Sequence, residues 1–320
     1  MYYCFKQLPS HELKKIIKIG TRESQLAVWQ ATLVQSLLLK NHVVSELVYI
    51  KSEGDIDTIT PLYEIGVQGI FTKSLDAALI NHRIDIAVHS LKDVPTKLAE
   101  GIQLAAVLKR ASYKDIFVYK DDHSFLEDNN SSAIIATSST RRKAQWLHKY
   151  PKHDFENLRG NVNTRLRKIN EHSWNGAIFA AAGLERINLR PSNSIDLDWM
   201  LPAPAQGAIG VVCRADDKSA FEIVHALNDD TTALCAKIER DFLRALMGGC
   251  STPISALATI ENGAVNFKGN ICSPDGKQKI EVQKTTSMRS SDELGEVAGK
   301  ELLKNEEVQK IINRLTNDEK

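Results

Sequence analysis

Cysteine is scarce in this 320-residue chain: Cys4, Cys213, Cys235, Cys250 and Cys272 form an odd set at wide spacings, with no Cys-x-x-Cys pair. Neither a disulfide framework nor a zinc site is suggested, so a reduced cytoplasmic compartment is the simplest expectation. No apolar run approaches the ~18 residues of a membrane span. The segment Met1–Lys15 has no continuous apolar stretch of the kind a signal peptide needs. Net charge is only +1, so no global field points to nucleic acid. Neither nucleic acid nor a membrane is expected as a partner. What remains is an ordinary soluble composition, 42% hydrophobic and 25% charged, in a chain long enough for about two or three domains.

Charge is distributed unevenly. From Arg141 to Lys168 there are nine Lys or Arg residues against Asp154 and Glu156, a local charge of +7 that leaves −6 for the rest. A solvated basic helix face is the plain explanation, and a bound anion is the sharper one.

Short β-branched runs alternate with helical patterns. Ile16–Ile19, Leu47–Ile50, Asp85–His89 and Leu104–Leu108 read as strands. A helix from about Ser24 sets Leu26, Trp29, Leu33 and Leu37 on one face, and another starts near Thr72. This predicts an α/β domain with a largely parallel sheet. The rhythm restarts with strands at Ile116–Tyr119, Ala133–Thr137 and Ala177–Ala181 and helices near Arg141 and Asn163. The polar stretch Asp121–Ser132 reads as a surface loop. After a strand at Ala208–Cys213 and helices near Asp217–Leu227 and Thr231–Met247, the character changes. Ile254–Ile260 and Val265–Ile271 flank Asn262-Gly263, a hairpin signal, and Lys279–Lys284 adds a third strand. Helices near Asp292–Leu303 and Glu306–Leu315 complete a C-terminal α+β domain.

Five segments carry polar side chains where chemistry would be placed. Gly20-Thr21-Arg22-Glu23-Ser24 ends a strand and opens a helix, so backbone N–H groups and Arg22 favour an anion; Ser24 as a simple N-cap is the plain alternative. His89-Ser90-Leu91-Lys92-Asp93-Val94-Pro95 leaves a buried strand at its carboxyl end, where ligands bind in open α/β sheets. Lys92 and Asp93 are either a surface ion pair or an acid held beside a cation, suited to proton transfer or to stabilising positive charge. Thr137-Ser138-Ser139-Thr140-Arg141-Arg142 repeats the strand, turn, helix arrangement with two guanidinium groups. Leu158-Arg159-Gly160-Asn161-Val162-Asn163-Thr164-Arg165 places two more arginines around a glycine turn. Several arginines near helix starts point to a ligand with several carboxylates or phosphates. Finally, Met247-Gly248-Gly249-Cys250-Ser251-Thr252-Pro253 puts a thiol on a loop between domains. Local evidence alone favours an inert buried cysteine over a nucleophile or attachment point.

Together these segments resemble the hydroxymethylbilane synthases (porphobilinogen deaminases). The resemblance runs from about Ile17 to Pro253 and also includes Trp29-Gln30-Ala31, Gly54-Asp55, Ala181-Ala182-Gly183-Leu184 with Arg186, and Pro204-Ala205-Gln206-Gly207-Ala208. It implies two periplasmic-binding-protein-like α/β domains with the active cleft between them, plus a C-terminal α+β domain with a three-stranded antiparallel sheet that carries the cofactor loop. The corresponding bounds are 1–110 with 208–227, 111–207, and 228–320. It also implies stepwise condensation of four porphobilinogen molecules, with release of ammonia, to the linear tetrapyrrole hydroxymethylbilane of haem biosynthesis. Growth would occur on a dipyrromethane cofactor held by a thioether to Cys250, with Asp93 as catalytic residue. Arg22, Ser24, Gln30, Lys92, Ser138, Arg141, Arg142, Arg159, Arg165, Arg186 and Gln206 match positions that bind cofactor and substrate. No metal is implied, and the family implies a monomer.

The physical reading agrees. Each porphobilinogen brings an acetate and a propionate, and burying such charges without partners would be prohibitive. Arginine stays protonated and forks onto carboxylates. Three departures bear on substrate affinity and loop motion: Gln68 stands where many relatives have lysine, Thr140 replaces a usual leucine, and Ala205 a usual glycine. Two rival readings are a non-catalytic two-domain receptor for an organic anion, which leaves Asp93 and Cys250 unexplained, and an impaired homologue.

Overall fold

The computed structural model describes residues 16–51, 72–128, 130–246 and 252–318. The first lobe begins with β1 (Ile17–Thr21), α1 (Gln25–Lys40), β2 (Ser45–Tyr49), α2 (Lys73–Ile80), β3 (Ile86–Ser90) and β4 (Ile102–Val107). The chain then crosses to a second lobe: β5 (Asp115–Tyr119), β6 (Ile134–Ala136), α3 (Thr140–Lys149), β7 (Asp154–Glu156), α4 (Val162–Glu171), β8 (Gly176–Ala180), α5 (Ala181–Glu185) and β9 (Ser194–Asp196). It returns through β10 (Ile209–Arg214) and α6 (Lys218–His225).

The two sheets are built alike, in the orders β2-β1-β3-β10-β4 and β7-β6-β8-β5-β9. In each, the strand that follows a crossing lies fourth and runs antiparallel to both neighbours. The expectation of a largely parallel sheet is therefore corrected: each sheet is mixed, because one strand enters from the other lobe and not through a right-handed crossover helix. Each sheet is covered on both faces, with apolar clusters around Ile19, Ile86 and Val211 and around Leu75, Leu79 and Ile84 in the first lobe.

The face of α1 also differs from expectation. Ala27, Gln30, Ala31, Val34 and Leu38 are the buried residues, while Trp29 is 36% exposed. The small alanines let the helix lie close on the sheet. The large side chains counted at first as the inner face sit at its flanks. Short strands β7 and β9 escaped notice because three residues carry no periodicity. The Asp121–Ser132 stretch is only partly a polar loop: Ser124–Glu127 forms one 3-10 turn, and the Phe125 ring lies edge-on to Phe117 at 6.1 Å.

The two crossings pack against each other. Ala111 N donates to Gly207 O at 3.0 Å. Gly207 has a positive φ of 85°, and a Cβ there would come within 2.6 Å of Ser112 O. Only glycine fits.

The third domain consists of α7 (Asp230–Ala245), β11 (Ile254–Glu261), β12 (Ala264–Cys272), β13 (Lys279–Ser287), α8 (Leu294–Leu302) and α9 (Glu306–Asp318). Its sheet is an antiparallel meander, and Asn262 and Gly263 both take positive φ, as a two-residue hairpin requires. Ile238 and Phe242 of α7 pack on Phe267, with the phenylalanine rings edge to face at 5.2 Å. The expected fold class, two α/β lobes plus a three-stranded antiparallel domain, is borne out. Among the described residues no helix is long and apolar enough to cross a membrane.

Candidate functional site

Arg22, Ser24, Lys92, Asp93, Ser138, Arg141, Arg142 and Arg159 stand beyond the carboxyl ends of β1, β3, β6 and β7, where the chain leaves the sheet and polar groups emerge. After β1, Ser24 caps α1 by accepting from Ala27 N at 3.4 Å. After β3, a 3-10 turn spans Leu91–Asp93. After β6, Ser139 caps α3, and Ser138 Oγ accepts from Leu158 N at 2.9 Å, tying two turns of the second lobe together. Asn161 caps α4 in the same way. These caps explain why the loops end where they do. Ser24 and Ser138 thus have structural work whatever else they bind.

The lobes meet at Lys92. Its Nζ donates to Gln206 Oε1 at 3.2 Å, and Gln206 Nε2 donates to Asp115 Oδ1 at 2.9 Å and to Tyr113 O at 2.8 Å. Asp115 is fully buried at the start of β5. It accepts from Arg141 Nη2 at 2.7 Å and from Arg142 Nη2 at 2.8 Å and Nε at 3.1 Å. Arg141 Nη1 also donates to Leu201 O, and Arg142 Nη1 to Ile178 O. Burial alone would raise the Asp115 pKa, but Arg141 and Arg142 together with the Gln206 amide outweigh it and hold the carboxyl down to about 2. Each guanidinium has five N–H donors. Asp115 therefore orients both arginines without exhausting them.

The cations of the cleft crowd one another. Burial, then Arg142, lowers Lys92 to about 8, although Asp93 and Asp115 favour its charge. Burial and then Arg142 lower Arg165 to about 10, against support from Asp93, and Arg159 and Arg22 push the same way. Arg165 Nε donates to Gly160 O at 2.7 Å. Arg165 of the second lobe thus shares a field with Asp93 and Arg22 of the first. Arg159 is buried. Gln30 is buried on α1 and donates to Ser90 Oγ at 2.9 Å, bracing the end of β3. His89, beside Arg22, is held neutral by burial at about 4. Arg186 of the second lobe is half-buried: burial lowers it to about 10, it donates to Gly207 O at 2.7 Å, and it lies 5.8 Å from the Trp29 ring centroid. Cation–π contact gives Trp29 its use outside the core. The donor set therefore fits a ligand bearing several carboxylates. Cys250, Gln68 and Gly54-Asp55 lie outside the described residues.

Sequence reading missed the anchors beneath this cleft. Asp115 opens an apolar strand, and an acid at that place in a buried run was the available signal. Glu239 was legible too: with Cys235, Ile238 and Phe242 it completes an i, i+3, i+4, i+7 apolar stripe, where a carboxylate must be paired. It is fully buried and accepts from Arg110 Nη1 at 2.6 Å and Nη2 at 3.0 Å, from Ala205 N at 2.6 Å and from Ala258 N at 2.8 Å. Arg110 Nε donates to Gln206 O at 2.8 Å. One carboxylate thus joins both crossings to the third domain. Ala205, which it holds, has a φ of 60°, the reason a glycine is usual there.

Residues 17–222 match the family model of the porphobilinogen deaminase dipyromethane cofactor binding domain, and 233–304 that of the porphobilinogen deaminase C-terminal domain. A porphobilinogen deaminase of Chlorobium phaeobacteroides (strain BS1) is 41% identical over 294 residues, 91% of this chain and 94% of that one. A chloroplastic porphobilinogen deaminase of Pisum sativum is 42% identical over 300 residues, 90% of this chain and 81% of that one. Among solved structures, the methionine-binding protein MetQ aligns with a TM-score of 0.43 at 14% identity over 66% of this chain and 89% of that one. With the family models spanning both the two-lobed cleft and the C-terminal meander, the chain belongs to the porphobilinogen deaminase family.

Proposed function

We propose that the cleft between the two lobes is the active site of a hydroxymethylbilane synthase. It condenses four porphobilinogen molecules head to tail, releases ammonia at each step and yields the linear hydroxymethylbilane. The observation that carries the reading is the crowding of Lys92, beside Asp93 in the first lobe, with Arg141, Arg142, Arg159 and Arg165 of the second, cations in excess over the carboxylates present. An anion-rich chain that gains an acetate and a propionate with each unit supplies the missing charge. Arg22, Ser24, Gln30, Ser138, Arg186 and Gln206 complete the proposed binding set. We take the domain bounds as 1–110 with 208–227, 111–207 and 228–320, supported by the place of β10 in the first sheet.

Asp93 is the proposed catalytic residue. Its carboxylate oxygens accept the pyrrole N–H of incoming porphobilinogen and stabilise the positive charge that forms on that ring as its alkylammonium group, already protonated, leaves as ammonia. Lys92 is turned by Gln206 toward the same place and offers its ammonium to a carboxylate. The arginines orient carboxylates in pairs and exclude water from them. Cys250 is the proposed tether of the dipyrromethane by a thioether. When bound, that cofactor supplies the pyrrole carbon on which the chain grows. A non-catalytic receptor would have no use for Asp93 or for a tethering thiol. The protein is proposed to act in the cytoplasm as a monomer, with no nucleic acid or membrane partner.

Intact-protein mass spectrometry of protein made in porphobilinogen-producing cells tests the reading. The expected result is the chain mass plus a dipyrromethane, absent from Cys250→Ala. An active chain of unmodified mass would overturn it.

A further inference from the structure

The turn that presents Asp93 is held from an unexpected direction. Arg240 of α7, in the third domain, donates through Nη1 to Val94 O at 2.7 Å and Leu91 O at 3.3 Å, and through Nη2 to Pro95 O at 2.7 Å. These three carbonyls bracket Lys92 and Asp93. Beneath them, Leu91 and Val94 pack with Ala236 of α7 and with Ala205 and Ala208 of the second crossing. Glu239, the preceding residue, fixes the same helix to both crossings through Arg110 and Ala205. A 3-10 turn of three residues has little regularity of its own, and the carbonyls at its start and just beyond its end are gathered here by one planar, permanently charged fork.

We propose that Arg240 is a positioning residue for Asp93: it sets the carboxylate's place by clamping the turn from the third domain. The proposal rests on the functional reading given above, in which Asp93 meets the reacting ring. α7 is one unbroken helix of 16 residues, and Cys250 follows it in sequence. The clamp therefore refers the catalytic turn to the domain that bears the proposed tether. Displacement of a reacting group by about 1 Å costs on the order of 100-fold in rate.

The test compares Arg240→Met, which keeps the aliphatic stem, and Arg240→Lys, which keeps the charge, with the parent chain. Amide hydrogen exchange is read over 91–95, and kcat and KM are measured on protein whose mass shows the adduct. In Arg240→Met, exchange in the turn is expected to rise about 10-fold or more, and kcat to fall on the order of 100-fold with KM within about 3-fold. Arg240→Lys, with one point donor in place of a fork, should lie between. Unchanged exchange in the turn, or a kcat loss that simply follows a lower unfolding midpoint, overturns the proposal. If Arg240→Met does not fold, Arg240→Lys decides: intermediate values of both readouts support the clamp, and parental values of both overturn it. Exchange is read with or without the adduct. A chain that makes no hydroxymethylbilane would thus refute the functional reading, while the exchange data still decide whether Arg240 holds the turn.

Discussion

Glu239→Gln is the most informative single change in the molecule. The substitution keeps the shape but replaces one acceptor oxygen with an NH2 group. Either orientation of the amide then sets a donor against donors: Oε1 faces Arg110 Nη1 and Ala258 N, and Oε2 faces Arg110 Nη2 and Ala205 N. Two of four hydrogen bonds are lost, and Arg110, with a side chain only 12% exposed, keeps its charge without a counter-ion. Burial opposes the Arg110 charge, and Glu239 outweighs burial and holds its pKa above the usual range. Breaking a buried pair from one side costs about 3–5 kcal/mol. With a urea slope near 3 kcal/mol/M, the unfolding midpoint should fall by about 1 M or more. Three domains need not unfold together, so the midpoint is followed by both far-UV dichroism and tryptophan fluorescence. The cycle is completed with Arg110→Met alone and in combination. Because Ala205 N and Ala258 N stay buried, the double variant should not return to parental stability, yet it should be less destabilised than the sum of the single changes by about 1 kcal/mol or more. A Glu239→Gln midpoint within about 0.3 M of the parent, or additive single changes, would refute the argument that this carboxylate joins the three domains.

Asp93→Asn should retain the adduct, because the tether is elsewhere, while ammonia release from porphobilinogen falls by about 100-fold or more; near-parental turnover would remove Asp93 from the chemistry. In ligand-free protein Lys92 titrates at about 8, below its unfolded value of 10.5, so it is partly neutral at pH 8.5. Carboxylates arriving beside it raise that value; in the Asp93→Asn protein, which lacks a carboxylate that favours the Lys92 charge, Lys92 titrates lower still, so porphobilinogen binding should take up a fraction of a proton at pH 8.5 and clearly less at pH 6. Calorimetry in two buffers of different ionisation enthalpy reads this uptake, and equal values at both pH would show that Lys92 does not meet the anion. By the same sign, the ligand-free fold gains stability from this group as pH rises from about 8 toward 10.5. Ala205→Gly should change stability by less than about 0.5 kcal/mol, since relief of a left-handed alanine, ~1 kcal/mol, is offset by loss of a buried methyl, ~0.8 kcal/mol. A shift beyond about 1 kcal/mol in thermal or urea unfolding would mean that this crossing bears strain not evident from its φ alone.

Much of the cleft was legible because its polar residues cluster in short turns that follow strands or open helices, a pattern visible in the local sequence even where, as at β7, the strand itself was not. Arg22, Lys92, Asp93, Arg141, Arg142, Arg159 and Arg165 were all found in that way, and the fields around Lys92 and Arg165 bring them together. The supports were not found, because pairing is a long-range property. Asp115 lies 91 residues from Gln206, and Arg110 lies 129 from Glu239. Asp115 and Glu239 each stand out as an acid in an apolar pattern, but nothing nearby in sequence names the partner. The mixed sheets were missed for the same reason: nothing in the segment Ile209–Arg214 says that it will lie between β3 and β4, in a sheet begun almost 200 residues earlier. The inner face of α1 was misjudged because large apolar side chains were counted as core, when the close approach of helix and sheet selects alanine.

The division between found and missed residues follows a physical division of labour. The cleft needs positive charge that stays available to a ligand, and crowding of like charges would loosen such a site. Asp115 meets this difficulty by neutralising part of the charge of Arg141 and Arg142 from its buried place at the start of β5, and it favours the charge of Lys92 as well. Gln206 then carries the connection to Lys92 without adding charge, since an amide can accept from the ammonium and donate to the carboxylate at once. A carboxylate at position 206 would pair with Lys92 and withdraw it from the ligand; an apolar residue would leave Asp115 short of one donor. Gln206→Glu should therefore weaken porphobilinogen binding more than Gln206→Met at pH 8, where Lys92 of the parent chain is poised between its charged and neutral forms. Equal binding by the two variants would show that the amide acts only as a spacer between the lobes.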